Sequence, residues 1–266
     1  MNNEKKYDVV KQDKWECPAD TGVPLLTMPN VPKPLHGLPP RVIMGKSTWD
    51  HVRKRCYFEA GYKCEICGCE PPKGQLHAHE LYSYDWKAGT GKFERCIAIC
   101  KQDHDFIHSG RLITMLKNNN ILYPKEYVLG VVEKGFKLVY EYNTTHRNKK
   151  PLRVYSTFLN YLEVPSIHDE MEKLIDKYEI QFYEDPDEQA EWGDWKLLIG
   201  DVAHPTPYAN YWEWKDAMNE RSKFDTARIA GQSDPFSGGS FDVAKALLDS
   251  IRKKSWLPHR AMLISG

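Results

Sequence analysis

Five of the seven cysteines, Cys64, Cys67, Cys69, Cys96 and Cys100, fall within a 37-residue stretch, and only Cys17 and Cys56 lie outside it. The count is odd and the chain opens on the polar run Met1 to Lys6 rather than a secretory signal, so clustered thiols point to a metal site before a disulfide framework. Cys64 and Cys67 form a Cys-x-x-Cys turn whose two sulfurs reach one tetrahedral ion, and Gly68 lets the backbone turn beneath it. The matching half is Cys100-Lys101-Gln102-Asp103, with an aspartate where a fourth cysteine would stand. Carboxylate oxygen also ligates zinc, so Cys64, Cys67, Cys100 and Asp103 are the expected structural Zn2+ site, with a softer thiolate replaced by a harder oxygen. Cys69 and Cys96 are rival ligands, and buried free thiols are the plain alternative.

Histidines form a second cluster. His104 and His108, four apart, lie on one helix face and can present two imidazole nitrogens to one ion. Taken alone such a pair is more often a surface feature. His77-Ala78-His79-Glu80 supplies what is missing, and His79, on a hairpin that could swing over the helix, is the expected third ligand. His77 shares a strand face with His79. Glu80 would serve as a general base only if its pKa were raised toward neutrality, and His77 is the alternative.

Positioning these groups requires a helix before Cys64, a hairpin after Leu76 and a helix through His104. Ser47 is a plausible N-cap, and Trp49, Val52, Cys56, Tyr57 and Ala60 recur at helical spacing until Gly61. Upstream, Pro18, Pro24, Pro29, Pro32, Pro34, Pro39 and Pro40 predict an extended arm that wraps over something. Downstream, residues 111 to 134 read as helix and loop broken at Asn118, Asn119 and Asn120. Phe136 to Tyr142 alternates and suits a strand. Residues 166 to 180 suit an amphipathic helix capped by Ser166, and another helix is expected from Phe241 to Lys253 after the Gly238-Gly239-Ser240 turn. Trp192, Trp195, Trp212, Trp214 and Trp256 read mainly as core. Stacking on exposed bases, interleaved with Lys196, Lys215 and Arg221, is the other option.

Taken together, Cys64-x-x-Cys67-Gly68, Leu76-His77-Ala78-His79-Glu80-Leu81-Tyr82 and Ile97-Ala98-Ile99-Cys100-x-x-x-His104-x-x-x-His108 resemble the HNH endonucleases, in the zinc-knuckle form common in bacteriophage and prophage. The run Met28 to Gly37 and the ending Ile107-His108-Ser109-Gly110-Arg111 are similar to a phage-type subgroup, so the likeness covers roughly residues 28 to 111. The resemblance implies an α+β chain with a ββα-metal core propped by structural zinc. With the proline pattern and the downstream reading, the chain is expected to divide into an extended N-terminal arm (1–45), a nuclease core (46–115) and a mixed helix and strand region of unknown role (116–266). The resemblance assigns His79, His104 and His108 to a catalytic Mg2+, Mn2+ or other divalent ion, and DNA as substrate. Such a hydrolase needs a base beside its ligand: either His79 binds metal and Glu80 is the base, or His79 is the base and the ligand comes from elsewhere. Arg95 stands near the place of the family's bracing asparagine and is read instead as a phosphate contact. A second expectation is a binding module with the same fold and little or no cleavage, for example a phage factor acting on a host system.

Thirty-seven basic side chains balance 37 acidic ones, so any nucleic-acid surface must be local. Residues 41 to 63 concentrate Arg41, Lys46, Arg53, Lys54, Arg55 and Lys63 against Asp50 and Glu59. Arg53, Lys54, Arg55, Lys63 and Arg95 are therefore the expected DNA contacts, with a solvated helix face as the alternative. The tail Arg252-Lys253-Lys254 with Arg260 is a weaker one. Residues 166 to 195 carry eleven acidic side chains against Lys173 and Lys177, which suits a solvated surface or a basic protein partner. No apolar run reaches the roughly 18 residues that span a bilayer. A soluble chain of the cytoplasm is expected, the host's if phage-encoded, with no membrane partner.

Overall fold

Leu76–Asp85 (β3) alternates apolar and polar side chains along much of its length, while Thr90–Cys100 (β4) starts polar and ends in the buried apolar run Ile97-Ala98-Ile99-Cys100, covered on both faces. In the computed structural model, which describes residues 7–229, these two strands pair antiparallel, with His79 opposite Ile97 and Glu80 opposite Cys96. Asp85 closes the turn by accepting the Ala88 N–H at 2.9 Å. The last residue of β4, Cys100, is extended and caps the next helix, α3 (Lys101–Ile107), so strand, strand and helix follow without a linker. Two sheet neighbours come from far along the chain. Lys14–Trp15 (β2) pairs with β3, and Lys196–Ile199 (β7) pairs parallel with β4, extended by Val202–Pro205 (β8). A second, parallel sheet joins Val9–Lys11 (β1), Phe182–Glu184 (β6) and Val154–Tyr155 (β5) in the order β1-β6-β5.

The proline arm is less extended than its composition suggests. It folds into 3-10 turns at Val23–Thr27 and Lys33–Leu35 and the single-turn helix α1 (Pro40–Ile43), each with proline in its first turn. Leu25, Leu26, Met28 and Leu35 are buried, so the arm fills the core as well as wrapping it. One hydrophobic cluster runs from Trp15 to Leu197, through all three sequence segments. Helix α2 spans Lys46–Glu59, with Gly45 rather than Ser47 at its N-cap, and buries only Cys56. Helix α4 is Ser109–Lys117, and the expected break follows at Asn118 to Asn120.

The strand expected over Phe136 to Tyr142 is corrected: those residues lie inside α5, Lys125–Thr145. The wider window explains it. Val128, Val131, Val132, Gly135, Phe136 and Val139 recur at helical spacing and are all buried, and this longer period outweighs a seven-residue alternation. Ser166 likewise does not cap α6 (His168–Lys177), whose N-cap is Ile167 with no side-chain bond, while Met171 and Ile175 make the buried stripe of an amphipathic helix. Among the tryptophans, Trp195 is core, Trp192 and Trp214 are half-buried and Trp212 is exposed at the start of α7 (Tyr211–Ile229). The expected helix Phe241 to Lys253 with its glycine turn, Trp256 and the basic tail lie outside the described residues.

Helices α3 and α5 meet where Gly135 faces Phe106, whose ring also contacts Phe136 and Phe158 at centroid distances of 6.0 and 4.6 Å. A Cβ on Gly135 would fall 2.1 Å from Phe106 Cε2. Gly135→Ala is therefore expected to lower stability by about 2 kcal/mol or more through overpacking, although alanine has the higher helix propensity. A urea midpoint equal to that of the unaltered protein would contradict this contact.

Candidate metal centres

The first centre is built where the knuckle turn meets the end of β4. Gly68 takes φ +72°, and the Gly68 N–H bonds to the Cys64 carbonyl at 2.8 Å while the Cys64 N–H bonds to the Cys69 carbonyl at 2.9 Å. This loop turns Cys69 back toward Cys64 and Cys67. Glu65 ties the loop to β4: its N–H reaches the Ala98 carbonyl and its carboxylate accepts the Ala98 N–H, each at 2.8 Å. The outcome is a cluster of Cys64, Cys67, Cys69 and Cys100 whose sulfurs lie within 4.8 Å of one another. Sulfurs at roughly 2.3 Å from a tetrahedral zinc sit about 3.8 Å apart. The Cys67–Cys69 and Cys67–Cys100 sulfur distances of 3.4 and 4.0 Å bracket that value. The four cysteines could thus hold a structural metal such as zinc.

Asp103, the expected fourth ligand, lies beside the four sulfurs and outside the group that they form. It sits against the cluster, accepting from the Cys64 thiol at 3.1 Å, but its other oxygen is paired with Lys134 Nζ at 2.7 Å. Cys69, the rival ligand, supplies the fourth sulfur of the group. The second rival, Cys96, lies elsewhere on β4, opposite Glu80. Hydrogen bonding from Cys100 and then Cys64 holds the Cys67 thiol well below its usual range. Burial, then contact with Cys67, pushes Cys69 up to about 12.

The second centre lies on the other side of α3. His79 on β3, His104 on α3 and His108 bring one nitrogen each within 4.8 Å of the others. The helix ends at His108, which is both the C-cap of α3 and the residue preceding α4. Its N–H still reaches the His104 carbonyl at 3.1 Å, so the i, i+4 geometry survives. Ring centroids are 5.3 Å apart for His79 and His104, 5.1 Å for His79 and His108, and 4.6 Å for His104 and His108. His79 is 2 % exposed, and neither ring nitrogen has a hydrogen-bond partner. A buried imidazole without partners forgoes about 1–3 kcal/mol, and a shared cation would restore it. Burial, reinforced by neighbouring histidines, lowers His79 and His104 far below the usual range. Burial and the Arg111 charge take His108 to about 4. All three are therefore neutral near pH 7 with lone pairs free, as ligation requires.

Comparison with family models, curated proteins and solved structures finds no match.

The two candidate bases separate. His77 stacks on His104 at 4.9 Å, and burial lowers its pKa. Strand alternation puts Glu80 on the opposite pleat face, against Cys96. Its Oε1 is buried without a partner, and burial raises its pKa. Two cations missed as site residues flank the histidines. Arg41 acts electrostatically on Glu80 and His108, and Arg111 on His77, His104 and His108. Arg41 was legible only as part of a basic run, because proximity to β3 depends on how the arm folds. Beside them Asp105 is buried, accepting from Tyr127 Oη at 2.6 Å and from Lys101, which braces α3 against α5.

The expected DNA contacts are mostly occupied by acidic neighbours: Arg53 by Asp50 (3.3 Å), Arg55 by Glu59 (2.6 Å), Lys63 by Glu70 (3.0 Å) and Arg95 by Glu65 (3.4 Å). Lys54 is exposed. The first three pairs are largely solvated, where each contributes little and phosphate competes readily. In the acidic segment, Glu170 pairs with Lys125 and both Glu184 and Asp187 pair with Lys11. No helix of the described residues is long and apolar enough to cross a membrane.

Proposed function

We propose that the protein is a metal-dependent phosphodiester hydrolase, a DNA endonuclease or nickase of HNH type, with His79, His104 and His108 as ligands of its working cation. The observation that carries this reading is His79: a buried imidazole with both nitrogens unpartnered, facing two further neutral imidazoles across the ββα unit. A Mg2+ or Mn2+ ion held there supplies Lewis acidity toward a phosphate oxygen and the departing oxygen. Arg41, exposed and without an ion pair among the described residues, and Arg111 add positive potential that draws a polyanion to the histidines. The four cysteines with zinc fix the end of β4, and hence the start of α3 that carries His104.

His77 is the proposed base. It is neutral near pH 7 and shares the face of His79, so it can accept a proton from an attacking water, whereas Glu80 points into the opposite layer. In a plasmid-nicking assay with Mg2+ or Mn2+, His77→Ala is expected to lose about 100-fold in rate with zinc content unchanged, and Glu80→Gln to stay within about threefold. The reverse order would return the role to Glu80. Failure of the unaltered protein to nick with any divalent ion would contradict the nuclease reading.

A second reading, a nucleic-acid or protein binding module with little cleavage, is favoured by the burial that lowers the pKa of His77 and so weakens it as a base. It predicts retarded DNA or a captured basic partner without strand scission.

A further inference from the structure

Lys134 belongs to no ligand set, yet it touches the sulfur centre at three points. It projects from α5, and its Nζ lies 3.4 Å from Cys67 Sγ, 3.4 Å from Cys100 Sγ and 2.7 Å from Asp103 Oδ1. Four thiolates on one Zn2+ leave a net charge of about −2. Asp103, only 1 % exposed, adds another negative charge 3.1 Å from the Cys64 sulfur. A buried concentration of like charge of this kind is stable only beside a compensating cation. Lys134 is the cation whose ammonium the described residues bring to both sulfurs and carboxylate at once.

We propose that Lys134 is a positioning residue of the zinc centre: oriented by Asp103, it donates N–H···S bonds to Cys67 and Cys100 and offsets the charge of the thiolates. This rests on reading the four cysteines as a zinc site. It also explains why an aspartate is kept at the position where spacing suggests a ligand: Asp103 holds the lysine, and the lysine holds the sulfurs. Because Lys134 adjoins Gly135, whose contact with Phe106 docks α5 on α3, the grip on zinc is coupled to the seating of α5.

The test is transfer of zinc from the full-length protein to a colorimetric chelator, with iodoacetamide labelling of the cysteines as a parallel readout. Lys134→Met is expected to speed zinc transfer about 10- to 100-fold and to expose Cys67 and Cys100 to alkylation, as loss of a partner to a metal ligand does. Lys134→Arg should restore slow transfer. Asp103→Asn added to Lys134→Met should recover part of the loss, because it removes the stranded carboxylate, an effect that a lysine with a merely structural role would not produce. Should Lys134→Met fold poorly, Lys134→Gln, which keeps a donor but not the charge, is expected to fall between it and the unaltered protein. A folded Lys134→Met or Lys134→Gln protein that gives up zinc within about twofold of the unaltered rate would overturn the proposal. Absence of zinc from the unaltered protein would overturn it too, and is distinguishable because it removes the zinc reading before any variant is compared.

Discussion

A Cys100→Ser protein is expected to lose its tightly held zinc and more than about 3 kcal/mol of unfolding free energy. Cys100 has two structural duties. It closes the cluster across from the knuckle, and it is the residue at which β4 becomes α3. Without its sulfur the knuckle has no anchor on the sheet beyond the Glu65 contacts to Ala98, and Asp103 and Lys134 are left buried beside a broken site. Zinc stoichiometry and the urea midpoint check this. A variant that retains one zinc per chain and the original midpoint would mean that the four sulfurs are packed thiols. Cys96→Ser, by contrast, should keep its zinc, since Cys96 faces Glu80 and α2.

His79→Leu is expected to move stability in opposite directions according to the solution. With the zinc retained but no other divalent ion present, leucine should stabilise the fold by about 1–3 kcal/mol, because it replaces a buried imidazole with two unpartnered nitrogens. Such a gain on removing a working group is the usual mark of a site whose strain serves function. With millimolar Mn2+, the unaltered protein should rise in melting temperature and His79→Leu should not, since only the former has an ion to bind. A leucine variant that is destabilised, alongside an unaltered protein indifferent to Mn2+, would make His79 a packing residue.

The parts of the site that could be read from the residues are those set by short spacing. Cys64 and Cys67 share one turn, His104 and His108 share one helical face, and His77 and His79 share one strand face, so local geometry alone brings each pair together. Joining the pairs is a tertiary matter: the β3–β4 hairpin brings His79 within reach of His104 and His108. Spacing drew attention to Asp103 and left Cys69 as a rival. The left-handed turn at Gly68, which folds Cys69 back, and the ion pair of Asp103 with Lys134, 31 positions downstream, are tertiary features that no local pattern announces. The sheet beyond the hairpin was equally hidden. β2 has two residues and β7 and β8 have four each, too few for an alternation to register, and their partners are distant in sequence. The misassigned strand in α5 shows the opposite error, a short period read inside a longer one.

Three imidazoles are proposed to hold one exchangeable divalent cation next to a separate sulfur-bound ion. The direct measurement is a calorimetric titration of Mn2+ into zinc-loaded protein, unaltered and His104→Ala, with zinc content determined before and after. One Mn2+ site per chain is expected in the unaltered protein, none in the variant, and the same zinc in both. A titration without binding, or a site that survives the loss of His104, would contradict it.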